Sequence, residues 1–461
     1  MKVTQVALRP TAASEKAGRP ALTPELLAAS GARYSRNNEG LESILSKIDP
    51  ENLEKSVDSI FRMVDYGHQS IADMAPAAMF IDGVSMWLAY YIWTLCPTAG
   101  GQESSTRYIK ISSEGLIAPE ELGIGEKAEW RELMEQCFRA YQAALAVWEQ
   151  MAGANPALMG IPQSLLDDSS ESARKKVARM KRNYAFDRAR YFLPVAAATN
   201  VMLVMSARGW VNLCQHLLSL DLPEARRAGE LIRDELAIAA PRMTGYARRM
   251  EPVRQSIVSE FEKLVQLARA EPPAAGATAL PFLSVLPPEG ISAEEIARDL
   301  ACHTNRYAPV GSSLQRTSVR FGWSAIGFAE IRDLNRHRTG SKYCPQVPRG
   351  FYFAPDQVPS ESAEKKAALQ ELAAVGLRAN QCALQRLRGS DPSYIYWTLL
   401  GTEYPFEHVT TADKFIYEAE LRTGVGAHFR YARHLREALA LFHRRFPSTK
   451  GLILEGSAEP E

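Results

Sequence analysis

Apolar residues recur every three to four positions over 127–151, 171–194, 201–239, 362–388 and 410–441, the spacing of helices that bury one face. Shorter runs at 3–8, 78–84 and 317–322 predict strands. Helices outnumber strands, so the pattern predicts a helix-rich α+β fold in which small mixed sheets carry long helices. Helical periodicity breaks at 271–288, where prolines and small residues crowd together. A linker is placed at 271–284, with a short strand near 282–286, between a first domain at 1–270 and a second at 285–461. The apolar run from Val84 to Leu95 is too short to cross a bilayer, and no membrane association is expected.

The two parts repeat one coarse order. Each opens on a helix headed by Pro-Glu, at Pro24-Glu25 and at Pro288-Glu289. Apolar stretches follow at 79–95 and 319–334, then polar loops at 96–105 and 338–350. Each part closes on arginine-bearing helices, at 207–233 and 419–436. A repeated order of this kind points to duplication.

Composition narrows the function classes. The chain has 461 residues, 46% hydrophobic and 23% charged, the make-up of a folded chain of two or three domains. Its net charge of +1 gives no global field to recruit nucleic acid, so a basic site must be local. The six cysteines are scattered and none forms a Cys-x-x-Cys pair, which indicates neither a zinc site nor a disulfide framework. The N-terminus lacks the charged-then-apolar pattern of a secretory leader, and a reducing cytoplasm is expected.

The local basic feature is Arg336-His337-Arg338, which ends an apolar run and leads into Thr339-Gly340-Ser341. Guanidinium forks bind phosphate bidentately and stack on aromatic rings, and a histidine can hold or release a proton near neutrality. The tract suits a polyanion or an electron-rich cofactor; standing alone, such a tract is more often a solvated basic turn.

Gly67-His68-Gln69-Ser70, the apolar run ending Gly83-Val84-Ser85, and Gln102-Glu103-Ser104-Ser105-Thr106-Arg107-Tyr108 together resemble the flavin-dependent thymidylate synthase family. The family signature runs Arg-His-Arg, two residues, Ser, and later Glu-x-Ser-x-Arg-Tyr. The first half keeps the tail at Glu103, Ser105, Arg107 and Tyr108 but has Leu95-Cys96-Pro97 in place of the head. The second half keeps the head through Ser341 but has Cys344, Gln346 and Pro348 in place of the tail. Arg190, with Leu193-Pro194, resembles the family's Arg-x-x-Leu-Pro, and Ala207-Arg208 with Asn212 resembles its flavin-contacting helix. Leu217 falls where the family carries a phosphate-binding arginine; Leu421-Arg422 restores that arginine in the second half.

The resemblance implies two tandem domains of thymidylate-synthase-complementing-protein type, each having lost what the other keeps. A homodimer would then form a pseudo-tetramer with two complete composite sites and two degenerate ones, and one FAD per polypeptide. Arg336, His337 and Arg338 would hold the flavin and stabilise its anionic reduced form, with Ser341 in the same loop or acting as a helix cap. His68 would sit over the flavin, or be a satisfied loop histidine; Ser70, Arg208 and Asn212 would bind the adenine or ribose side. Arg107, Arg190 and Arg422 would converge on a nucleotide monophosphate. Glu103 and Ser105 would contact pyrimidine or sugar, and Asp333 would lie near substrate, against the plainer readings of an ion pair for Glu103 and a surface helical acid for Asp333. The C-terminal helix with His428, Arg430, Arg433, His434 and Arg436 reads as solvated or interfacial surface. Cys96 and Cys344 stand where the signature is broken, as degenerate positions or as a reactive thiol.

The family reaction methylates dUMP to dTMP with carbon from methylenetetrahydrofolate and hydride through FAD reduced by NADPH. It needs positioning and electrostatics more than a covalent nucleophile. The rival readings are a flavoenzyme acting on another pyrimidine nucleotide, and a non-catalytic flavin- or nucleotide-binding homologue.

Overall fold

A computed structural model describes residues 1–36, 40–48, 52–65, 69–107, 111–270, 279–424 and 427–456. In chain order it comprises β1 (Lys2–Val6), α1 (Pro24–Tyr34), β2 (Pro76–Ser85), α2 (Met86–Leu95), β3 (Gly100–Glu103), α3 (Ile124–Ala154) and α4 (Glu171–Ala189). These are followed by β4 (Ala198–Ser206), α5 (Ala207–Ser219), α6 (Pro223–Ala239), β5 (Pro281–Leu286), β6 (Ser318–Gly327) and α7 (Phe328–Leu334). The chain then forms β7 (Ser341–Tyr343), β8 (Gly350–Phe351), α8 (Ala363–Arg388), β9 (Thr402–Thr411), α9 (Ala412–Arg422) and α10 (Phe429–Arg445), with further helices between, among them Leu53–Asp65 and Glu251–Ala270. The helix-rich α+β class is observed, but every named strand pairing is antiparallel, where mixed sheets were expected.

Two compact units divide the chain, Met1–Leu122 with Ala197–Glu262, and Gly123–Ala196 with Lys263–Glu461. The units and the chain-order halves part company over 123–196. The reason lies in α3 and the turn after α4. Trp130 is fully buried and its indole donates to the Tyr396 carbonyl at 2.9 Å. Pro194 and Leu399 form an antiparallel bridge, with Val195 N donating to Thr398 O (3.1 Å) and Leu400 N to Leu193 O (2.8 Å).

The first unit's sheet has the order β1-β2-β4-β3, and the second unit's has β5-β6-β9-β7, with β8 also on β9. Each sheet's second strand carries a register shift near its end, at Asp82/Val84 in β2 and Trp323/Ile326 in β6, and then turns into a helix. Ser85 caps α2 and faces Ala198 across the ladder; Gly327 caps α7 and faces Glu403. Ser206 caps α5 and Thr411 caps α9, each being the last residue of a central strand. α2 and α7, α5 and α9, and α6 and α10 therefore hold matching topological places.

Neither β4 nor β9 is among the predicted strands: most of β4 falls in the helical window 201–239, and β9 lies largely outside any predicted element. In β4, Val201, Leu203 and Met205 are buried, a period of two, yet the intervening Met202 and Val204 are also apolar and blur the alternation. In β9 buried and half-buried positions likewise alternate from Tyr404 to Thr411, and only its last two residues lie inside the window. Thr23 and Pro24 head α1 as expected, whereas the second expected Pro-Glu helix begins later, at Ala293 under a Ser292 cap. The C-terminal helix is solvated on one face only: the Arg433 and Arg436 side chains are exposed, whereas His428, Arg430 and His434 are all buried.

Candidate functional site

The second unit gathers its chemistry where α7 ends. Glu330, the third residue of α7, accepts from Gly327 N at 2.9 Å and secures the helix start. One turn on, Asp333 points inward, and Arg336-His337-Arg338 leave the helix end. Gly340 then turns the chain with φ +68°, where a Cβ would meet Val409 O, so glycine is required. Ser341 follows in β7, paired with Val409 and exposed, which rules out its helix-cap reading.

Around this exit five of the expected site residues come together. Arg190 Nη2 lies 3.0 Å from Asp333 Oδ2, both side chains being buried, and Arg336 Nη2 lies 3.4 Å from the other oxygen. Asp333 is therefore no surface acid. Burial would raise its carboxyl, but the Arg190 and Arg336 guanidiniums outweigh that and hold it well below the usual carboxylate range. Arg422 Nε donates to His337 Nε2 at 2.8 Å. Lys342 on β7 donates to the carbonyls of His337 and Thr339, and His408 Nε2 donates to Thr339 O at 2.7 Å, so the loop is fastened from two strands. Beneath it His408 Nδ1 stands 3.2 Å from the buried Glu418 carboxylate. Burial, reinforced by Arg422 and only opposed by Glu418, pushes the His337 imidazole down to about 4. Burial would raise Glu418, yet the neighbouring imidazoles bring it down to about 2.

Sequence reasoning missed a second buried network beside this one. Arg430 reaches Glu330 at 3.1 Å and Glu403 at 2.6 Å, lies 3.2 Å over the Tyr352 ring, and shares Glu330 with the Tyr191 hydroxyl at 2.7 Å. Spacing gave little signal for it, since Arg430 lies in a run of basic residues and its partners Glu330 and Glu403 are 100 and 27 residues away. Cys96 is buried and Cys344 half-buried.

The remaining expected residues lie in the first unit. Glu103 ends β3 opposite Val201, and Ser105 Oγ accepts from Arg107 N at 3.3 Å. Arg208 and Asn212 sit on the first turns of α5, where Arg208 pairs with Asp73 at 2.9 Å, half exposed. Ser70 is exposed on the turn before β2, and His68 lies outside the described residues. The matching places to Asp333, Arg336, His337, Arg338, Glu418 and Arg422 are all uncharged here. Counting from the two helix caps, Tyr91 corresponds to Asp333, and Thr94-Leu95-Cys96 to Arg336-His337-Arg338, one residue before the Leu95-Cys96-Pro97 expected from the motif; Leu213 and Leu217 correspond to Glu418 and Arg422. Glu224 on α6, matching Arg430, accepts from Ser85 N at 2.7 Å and from its hydroxyl at 2.8 Å.

Comparison with known proteins agrees with the motifs. Residues 21–242 match the family described as thymidylate synthase complementing protein. UPF0159 protein Ta1429 of Thermoplasma acidophilum is 28% identical over 224 residues, 44% of this chain and 45% of that protein. A flavin-dependent thymidylate synthase of Clostridium tetani is 24% identical over 227 residues, 49% of this chain and 82% of that enzyme. Among solved structures, a UMP/dUMP methylase PolB from Streptomyces cacaoi bound with 5-Br dUMP aligns at 16% identity with a TM-score of 0.31, covering 53% of this chain and 93% of the other. The chain thus spans about half the length of the Thermoplasma relative. The family resemblance read from the motifs is shown, and the segment that carries it is residues 21–242.

Proposed function

We propose that this chain is a flavin-dependent methyltransferase acting on a pyrimidine nucleotide monophosphate, dUMP being the first candidate, with methylenetetrahydrofolate and NADPH as cosubstrates. The single observation that carries the reading is the convergence of Arg190, Arg336, His337 and Arg422 around Asp333 in one compact unit. An anionic flavin nucleotide and a phosphate monoester both need N–H donors. The residues present fit them: Arg336 is exposed beside a nine-tenths buried histidine, and the donors outnumber the one acid they share.

When bound, the flavin supplies the hydride that completes the methyl group. The protein's part is to bind and orient. Arg336, His337 and Arg338 would hold the flavin, with Ser341 at the loop's edge; Arg190 and Arg422 would face the phosphate. Asp333 keeps Arg190 and Arg336 in place before either ligand arrives, so little orientation is left to be frozen at binding.

The matched strand orders and helix places support descent of both units from one duplicated ancestor. On that reading a homodimer forms the pseudo-tetramer. The first unit's Glu103, Ser105, Arg107, Ser70, His68, Arg208 and Asn212 complete the site built on the second unit's loop, and the first unit's own uncharged counterpart binds nothing. The test is release of tritium from 5-tritiated dUMP on addition of methylenetetrahydrofolate and NADPH to the flavin-loaded protein. Release identifies thymidylate synthesis. Bound flavin with no release excludes thymidylate synthesis, and turnover of another pyrimidine nucleotide then separates a changed substrate from a non-catalytic flavin-binding homologue; absence of bound flavin overturns the proposal.

A further inference from the structure

One histidine, His337, lies in the loop and another, His408, fastens it from β9, and the structure gives them different partners. His408 Nε2 faces the Thr339 carbonyl and its Nδ1 faces the Glu418 carboxylate, acceptors on both sides. His337 has a donor instead. Arg422 reaches its Nε2 at 2.8 Å through Nε, an atom that carries a hydrogen at every accessible pH. A hydrogen bond from an obligate donor requires a lone pair on Nε2. The imidazole proton then sits on Nδ1, to which no hydrogen bond runs among the described residues.

We infer that Arg422 is a positioning residue that fixes His337 as a neutral imidazole protonated on Nδ1, so that His337 meets its ligand as a hydrogen-bond donor and not as a proton-transferring acid. The groups facing His337 agree with this charge. Arg422 and Glu418 come from α9, His408 from β9 and Lys342 from β7, and burial of the ring adds to the cations among them. The ligand group served is an acceptor: a ring carbonyl, an unprotonated ring nitrogen or a phosphate oxygen. The terminal amines of Arg422 are left for a second acceptor, such as a phosphate monoester. One guanidinium would then touch both the histidine and the anion, and a phosphate bound there would reach the His337 resonance. The tautomer stands on the Arg422–His337 hydrogen bond; only its use in a flavin site rests on the proposed function.

The test is the ring-nitrogen spectrum of the full chain labelled with 15N-histidine, its eight histidines resolved by comparison with His337→Gln. The expected signal is a neutral ring with hydrogen on Nδ1 at pH 7 that stays neutral down to about pH 5. Arg422→Lys, which also only donates, should keep that pattern. Arg422→Ala should give a mixture of tautomers and protonation nearer the ordinary histidine value of about 6.5. A hydrogen on Nε2, or a doubly protonated ring at pH 7 in the unaltered chain, overturns the inference, whether or not the variants fold. Flavin binding is read separately from the same samples by absorbance. A protein that fails to bind flavin yet shows the Nδ1 proton removes the proposed function and leaves the tautomer standing.

Discussion

At matching places in two sheets of the same strand order, helices α2 and α7 leave on opposite chemistries. In the first unit the helix end carries Thr94-Leu95-Cys96, with Leu213 and Leu217 in the places that face it topologically. In the second it carries Arg336-His337-Arg338, with Glu418 and Arg422. The helix-start partners differ in the same way. Glu224 holds Ser85 directly by two hydrogen bonds, whereas Arg430 bridges two buried carboxylates, one of them the Glu330 that caps α7. The difference teaches that strand order and capping set the frame, while the ligand chemistry is free to be concentrated in one copy and erased from the other. The buried Arg190, Asp333, Arg430, Glu330 and Glu403 are tolerated in the second unit because each has an opposite charge within hydrogen-bond reach.

The comparison can be broken first at these helix starts. Arg430→Leu strands Glu330 and Glu403 without their cation and should cost about 3–5 kcal/mol in urea denaturation. Glu224→Gln, which weakens hydrogen bonds to a charged acceptor, should cost about 1–3 kcal/mol. Equal losses would mean that the two junctions are held alike.

Acid gives the next largest contrast. The folded value of His337 lies near 4, below an unfolded value of 6.5, so the unfolded chain binds the extra proton. Stability from this group is full above about pH 6.5 and falls as pH drops toward 4, by at most about 3 kcal/mol. Glu418 is depressed in the fold, so its contribution is present above 4.5 and is lost toward about 2. His337→Gln should flatten the slope between pH 4 and 6.5; Leu95→Gln, at the matching place, should leave the slope intact. A slope unchanged in His337→Gln would remove the histidine from the account.

Ligand binding should separate the copies more gently. Arg336→Ala should weaken FAD binding about 10–100-fold, the loss of one hydrogen bond to a charged group. Thr94→Ala should leave the affinity unaltered, and a drop there as large as in Arg336→Ala would make the uncharged counterpart functional. The smallest effect is expected at Ser341, exposed in β7: Ser341→Ala should change stability by under about 0.5 kcal/mol in thermal melts.

Much of the frame was legible in the sequence, and the reasons for the remainder are physical. Helices α3, α4 and α8 announced themselves by long amphipathic spacing, and β1, β2 and β6 by short apolar runs. β4 stayed hidden because both of its faces carry apolar residues and it runs straight into α5; β9 lay mostly outside any predicted element, its end absorbed into the window of α9 and α10. The cations of the candidate site, Arg190, Arg336 and Arg422, were each named from motifs. What no motif revealed is that Arg190 and Asp333 would be partners of one another, 143 residues apart. Nor did spacing disclose Glu418, His408 or the Arg430 network, since a buried charge differs from a solvated one only by the partner that folding brings to it. The basic periodicity of α10 looked like surface for the same reason.

The most direct measurement is the ratio of bound FAD to polypeptide in the purified, flavin-saturated protein, by absorbance of released flavin against amino-acid analysis. A charged site in one copy and an uncharged one in the other predict one FAD per chain. Two per chain would contradict that asymmetry outright.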